Sequence, residues 1–160
     1  MGDWGMRPAT ADDVEAVVEI RAVAMRADLE RLGRYDEHRV RQRLRDGFVP
    51  AHTRVVEVDG ATGPVLAGCV ALRPADDDPH APAYWLEHFY LAPWAQGRGI
   101  GTAVLRELLE DTDRVDARVR LNVLQGSAAR RLYERHGFVL DREDAVDVFL
   151  VRESTPRAGW

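Results

Sequence analysis

The chain is 160 residues long, 46% hydrophobic and 31% charged, with a formal net charge of −5. That length suits one domain with a full core and no covalent staples, and a single cysteine excludes an internal disulfide framework. The acidic balance argues against non-specific nucleic-acid binding, and no apolar run approaches the ~20 residues that span a bilayer.

Trp4 to Arg7 reads as a short first strand, ended by Pro8. Thr10-Ala11-Asp12-Asp13 then caps a helix, its two aspartates suited to the positive end of the helix dipole. Val14, Val17, Val18, Arg21 and Met25 recur at helical spacing and carry that helix to about Gly33. A second helix is expected over 36–46, closed by Gly47. Residues 53–59 and 65–73 read as strands joined by a hairpin turn at 60–64. Cys69 falls in the apolar run of the second of these, as expected of a buried and inert thiol. Pro74 to Pro82, with three aspartates and three prolines, reads as a surface loop.

The stretch from Trp85 to Thr102 is the most informative in the chain. An aromatic, apolar run (85–91) stops at Pro93, a glycine-rich turn follows, and 102–110 carries apolar residues at helical spacing. The bare amides of a helix start bind anions, aided by the helix dipole. Gly97, Gly99 and Gly101 leave no Cβ to block a phosphate. A P-loop is excluded, because Thr102-Ala103 follows Gly101 and the chain contains no lysine. A dinucleotide fingerprint is excluded as well, because threonine stands three residues after Gly99.

Further on, 120–124 alternates like a strand and Gln125-Gly126-Ser127 turns it. Ala128 to His136 reads as a short helix, with Ala129, Leu132, Tyr133 and His136 on one face, and Gly137 as its C-terminal cap. Strands from Phe138 and near 146–152 follow, and 154–160 is expected to fray.

Two motifs, Gln96-x-x-Gly99-x-Gly101 and Ser127-Ala128-Ala129-Arg130-Arg131-Leu132-Tyr133-Glu134-Arg135-His136-Gly137-Phe138, resemble those of the GNAT N-acetyltransferase superfamily, in the superfamily's order. The likeness covers the C-terminal half well and residues 1–80 in outline. Ser127 stands where many members have asparagine, Ala128 where proline often opens the helix, and Gln96 in place of the commoner arginine. Arg98 is then the nearest positive side chain to the pyrophosphate.

The resemblance implies an α+β fold, a three-layer GNAT domain over 1–153. Its mixed, mostly antiparallel sheet has parallel, splayed strands at 85–91 and 120–124, flanked by four helices. It implies acetyl-coenzyme A as co-substrate and no metal. Cofactor contacts are expected from Phe89, Tyr90, Leu91, Gln96, Gly97, Arg98, Gly99, Ile100, Gly101, Thr102, Ser127 and Arg130. The five histidines show no ligand spacing either.

Acetyl transfer to an amine sets three chemical needs. An alkylammonium with pKa near 10.4 is neutral in only about one molecule in 2500 at pH 7, so a proton must be removed. The resemblance places Tyr133 to protonate the leaving thiolate and backbone amides near Phe89 to Leu91 to meet the developing oxyanion. Strand alternation puts residues 85, 87, 89 and 91 on one face, which makes Glu87 the first candidate base. His88, a water relay and a group on the acceptor are the alternatives.

The acceptor is left open. Arg21, Arg26, Arg31, Arg34, Arg39, Arg41, Arg43 and Arg45 outnumber Asp28, Glu30, Asp36 and Glu37, which would attract an anionic acceptor or merely form a solvated face. Asp141, Glu143, Asp144 and Asp147 would instead greet a cationic amine. The expected reaction is direct attack by a primary amine, of a small molecule foremost or of a protein, in a ternary complex. The competing reading is a non-catalytic acyl-coenzyme A sensor, which would need neither Tyr133 nor Glu87; a toxin acylating charged transfer RNA fits the acidic balance poorly. No nucleic acid or membrane partner is expected, and a homodimer is compatible by fold analogy. The start of the sequence lacks a basic and then apolar leader pattern, so a cytoplasmic location is expected. All 22 basic residues are arginine, so no lysine is offered to stray acylation.

Overall fold

A computed structural model describes residues 3–80 and 82–155. Seven strands form one mixed sheet in the order β1-β2-β3-β4-β5-β7-β6, flanked by four helices. The strands are β1 (Trp4–Pro8), β2 (Thr53–Gly60), β3 (Gly63–Pro74), β4 (Ala83–Leu91), β5 (Arg118–Leu124), β6 (Val139–Glu143) and β7 (Asp147–Arg152). The helices are α1 (Val14–Arg31), α2 (Glu37–Gly47), α3 (Ile100–Arg114) and α4 (Ala129–Arg135). The β4–β5 pairing is parallel and covers Ala83–Trp85 against Arg118–Arg120, although β4 continues to Leu91 and β5 to Leu124.

The chain forms two compact units. The first comprises residues up to Ala71 together with His88–Gly101. Its core gathers Ala9, Val17, Val18, Leu44, Val55 and Cys69, with Val14, Phe48, Leu66 and Tyr90 packed against them. Helix α1 enters through a short 3-10 turn at Ala11–Asp13. There the Asp13 carboxylate accepts the Thr10 amide at 2.8 Å and both ends of the Arg7 guanidinium at 2.9 Å. Asp36 caps α2 by accepting the Arg39 amide at 2.7 Å, which holds its carboxyl below the usual range. Forked ion pairs Arg41–Glu19 and Arg45–Glu15 tie α2 to α1.

The second unit comprises Leu72–Glu87 together with Thr102 onward. Val104, Leu105, Leu108, Leu109 and Thr112 form the buried stripe of α3, a 3.6-residue period. Val119 and Leu121 of β5 and Val148 and Leu150 of β7 are buried as well, each strand alternating as a half-covered strand should. The proline-rich 74–82 segment is more than a surface loop. Asp78, its side chain 2% exposed, ion-pairs with both Arg118 and Arg120 of β5 and accepts the His80 amide at 2.8 Å. Two arginines projecting from one strand face at 118 and 120 require a carboxylate, and the loop supplies it.

Several boundaries differ from the sequence expectation. Helix α3 begins at Ile100 rather than 102 and runs to Arg114, and the β2–β3 hairpin turns on Ala61 and Thr62 alone. Of the segment expected to fray, 156–160 lies outside the described residues, whereas the Ser154 hydroxyl donates to Asp116 and the Thr155 amide to Asp113. No described helix is long and apolar enough to cross a membrane.

Candidate functional site

In the first unit the C-terminal end of β4 is irregular. His88 has φ of +51°, a left-handed conformation in the middle of a strand, as in a β-bulge. Its Nε2 lies 3.0 Å from where a Cβ on Gly47 would sit, so the ring packs on the end of α2. Face alternation does not carry across such a residue. The shared face of 85, 87, 89 and 91 expected from a regular strand is therefore interrupted between Glu87 and Phe89.

Gly68 of β3 explains how β4 is held close. A Cβ there would meet the Tyr90 carbonyl oxygen at 2.1 Å and Leu91 Cδ2 at 2.8 Å. The Cys69 thiol donates to the His88 carbonyl at 3.1 Å and is fully buried; burial pushes its pKa up to about 12. The Tyr90 hydroxyl accepts from Arg21 Nε at 3.0 Å, across from α1.

Beyond Leu91 the chain makes one 3-10 turn, Pro93–Ala95, which buries Ala95 and leaves Trp94 50% exposed. Gln96 folds back so that its Nε2 donates to the Leu91 carbonyl at 2.9 Å. That glutamine fastens the loop to the strand end. Gly97 and Gly99 have φ of +76° and +80°, conformations that side chains rarely adopt, and a Cβ at either would touch nothing within 4 Å. Gln96 to Gly99 are exposed and Ile100, buried, opens α3. Arg98 forms no ion pair among the described residues. Gly101 is helical, and a Cβ there would make only an ordinary 3.5 Å contact with Leu91 Cδ1. The first amides of α3, through Thr102, have no intrahelical acceptor. Together these features make an open backbone cradle with partial positive charge, suited to a pyrophosphate.

In the second unit Glu87 is forked by Arg73, whose Nε and Nη2 donate to its carboxylate at 3.2 Å. Tyr133, 6% exposed, packs edge-on against Phe138 with ring centroids 5.6 Å apart. The Ser127 hydroxyl accepts the Ala129 amide at 3.2 Å and so braces the start of α4. Arg130 pairs with Glu134 one turn on.

Of the two charged clusters seen in the sequence, half of the eight arginines are engaged by acids among the described residues, and all four late acids by neighbours. Arg26, Arg31, Arg41 and Arg45 all pair with acids, two of them on α1 outside the arginine-rich window. Asp141 pairs with Arg120, Glu143 accepts from Gln125, and Asp144 caps the β6–β7 turn by accepting the amides of Val146 and Asp147. Asp147 accepts from Asn122 at 3.0 Å.

Sequence reasoning overlooked Gly68, Arg73 and the burial of Arg21. For Arg21 a signal existed: an arginine placed in the apolar stripe of α1, between Val18 and Met25. For Gly68 and Arg73 none did, because their partners lie 14 or more residues away.

The model of the Acetyltransferase (GNAT) family matches residues 14–138. No curated protein sequence matches the chain. Among solved structures the chain is similar to PaiA N-acetyltransferase from Thermoplasma acidophilum in complex with coenzyme A, at 18% identity and a TM-score of 0.67, covering 94% of this chain and 98% of that one. It is similar to the ribosomal-protein-S18-alanine N-acetyltransferase of Escherichia coli at 16% identity and a TM-score of 0.69, covering 98% of each. It is similar as well to N-acetylglutamate synthase from Neisseria gonorrhoeae, complexed with coenzyme A and L-arginine. There the identity is 18% and the TM-score 0.60, over 98% of this chain and 34% of that one.

Proposed function

Because the chain belongs to the GNAT acetyltransferase family, we propose that it transfers acetyl from acetyl-coenzyme A to a primary amine by direct attack in a ternary complex. One observation carries this reading: an exposed Gln96–Gly99 turn with two left-handed glycines, feeding straight into the N-terminus of α3. Its amides and the open space around Gly97 and Gly99 fit a pyrophosphate, and Arg98 adds an exposed positive charge. The only cysteine is buried with its pKa raised, so an acyl-cysteine relay is disfavoured.

Bound acetyl-coenzyme A supplies a thioester-activated acetyl group. A backbone amide in the Phe89 to Leu91 stretch, following the left-handed His88, donates a hydrogen bond to the carbonyl oxygen as negative charge develops on it. Glu87, oriented by Arg73, takes the proton that the amine must lose as its C–N bond forms. Tyr133 gives its hydroxyl proton to the sulfur as the C–S bond breaks.

A calorimetric titration with acetyl-coenzyme A tests the reading, run beside a Gly99→Glu variant. Micromolar binding that the variant loses supports the cradle; no binding by the folded, cofactor-free protein overturns the proposal. Given binding, Tyr133→Phe and Glu87→Gln should each lower kcat about 100-fold while leaving acetyl-coenzyme A affinity intact. Unchanged turnover in either variant removes that residue from its role.

A further inference from the structure

Two arginines are buried among the described residues, and they are treated differently. Arg152, 8% exposed, forms a forked pair with Asp113 at 2.8 and 3.1 Å. Arg21, 7% exposed, has no carboxylate partner among the described residues. Its Nε donates to the Tyr90 hydroxyl at 3.0 Å, its Nη1 donates to the Val40 carbonyl, and its Cζ lies 5.7 Å from the Tyr90 ring centre. All of these partners are neutral. A guanidinium stripped of most of its water and given only neutral acceptors retains a full positive charge that the fold does not compensate.

The remaining donors point to how that charge is used. A guanidinium has five N–H groups, and the contacts above engage only two of them. Nη2 donates to nothing among the described residues. It is the tip of a residue that keeps 7% of its surface exposed. Packing from α1, α2 and β4 fixes this tip in place, so little side-chain entropy remains to be lost when an anion arrives. The tyrosine that steadies it belongs to β4, in the stretch whose amide is assigned above to the acetyl carbonyl.

We propose that Arg21 grips a carboxylate on the acceptor, so that the amines acetylated by this protein are small amino-carboxylates rather than plain alkylamines. This rests on the acetyl-transfer reading and names the substrate class for it. Arg21 is a specificity-determining residue in this scheme and takes no part in proton transfer.

Matched acceptors test it: a set of α-amino acids, their carboxamides and the corresponding decarboxylated amines, with coenzyme A release as the readout. The unaltered protein should favour the acid over its carboxamide by about 30-fold in kcat/KM, mostly through KM. Arg21→Met should bring the acid down to the carboxamide's kcat/KM and so abolish that preference. Arg21→Lys should restore part of it. Equal use of acid and carboxamide by the unaltered protein overturns the proposal, and this holds even if Arg21→Met fails to fold. Calorimetry of the same acids against the coenzyme A complex supplies a readout that needs no turnover, and absence of an acid preference there overturns it too. In either case the acetyl-transfer reading stands as long as acetyl-coenzyme A binds. If acetyl-coenzyme A itself does not bind, both readings fall, and the titration shows which was at fault.

Discussion

Asp13 holds three structures together through one carboxylate: the guanidinium of Arg7 at the end of β1, the Thr10 amide, and the entrance to α1. Its hydrogen bonds from Arg7 and Thr10 outweigh burial and bring its pKa down to about 2, from an ordinary value of 3.8. Since the folded-state value is the lower one, this contribution to stability is complete at neutral pH. It is lost as pH falls from about 4 toward 2. Thermal melts between pH 2 and 5 should show that loss, and Asp13→Asn should flatten it while costing about 1–3 kcal/mol at pH 7. An unaltered pH profile in the variant would place the acid sensitivity elsewhere. Cys69 offers a second check: a fully buried thiol should be inert to a thiol reagent in the native protein and react fully only on unfolding. The burial of Cys69 was legible in its apolar strand, as was the entry into α1 from Thr10 to Asp13. The Arg73 partner of Glu87 was not, because a strand's period says which residues share a face and nothing about what lies opposite.

At the scale of elements β4 is the part that departs from regularity. A strand with a left-handed residue at His88 and a neighbour that must lack a Cβ at Gly68 is locally over-determined. Gly68→Ala forces a methyl to within 2.1 Å of a backbone oxygen that cannot simply rotate away. The expected cost is about 3 kcal/mol or more, read by denaturant unfolding. A variant as stable as the parent would mean that β3 and β4 separate easily. Gly33→Ala also strains a positive φ, but with nothing within 4 Å of the new methyl, so it should cost only about 1 kcal/mol. The type and order of these elements followed from hydrophobic period and from glycine and proline punctuation. The irregularity did not, since histidine at 88 carries no mark of its φ. The glycine loop was legible for the opposite reason: its backbone needs left-handed residues at 97 and 99, and the chain advertises that need by placing glycine there.

For the molecule as a whole, a ligand that binds only the folded state stabilises it by mass action. Acetyl-coenzyme A at about 100 times its Kd should add about 2.7 kcal/mol, a rise in Tm of roughly 5–10 °C for a chain of this size. Gly99→Glu should abolish the rise. A shift of equal size in the variant would place the ligand away from the glycine loop. Family and fold were legible because both motifs are short, local and dictated by backbone conformation. The acceptor was not, because the charges that decide it are disposed by contacts remote in sequence. Arg45 is neutralised by Glu15, 30 residues away, and Arg120 by Asp78, 42 away, while Arg21 has no carboxylate partner among the described residues. Counting charges in a window cannot separate a spent arginine from an unspent one.

Trp94 sits half-exposed two residues before Gln96, whereas Trp4 and Trp85 are more covered. An indole in water emits at longer wavelength than one in a protein interior, so excitation of the native protein should carry a red-shifted component from the edge of the glycine loop. Filling that loop should quench or blue-shift this component, and Trp94→Phe should remove the change without disturbing the loop. On the proposed reading Trp94 is a built-in optical gauge of cofactor occupancy, to be read in a stopped-flow instrument before any acceptor has been found.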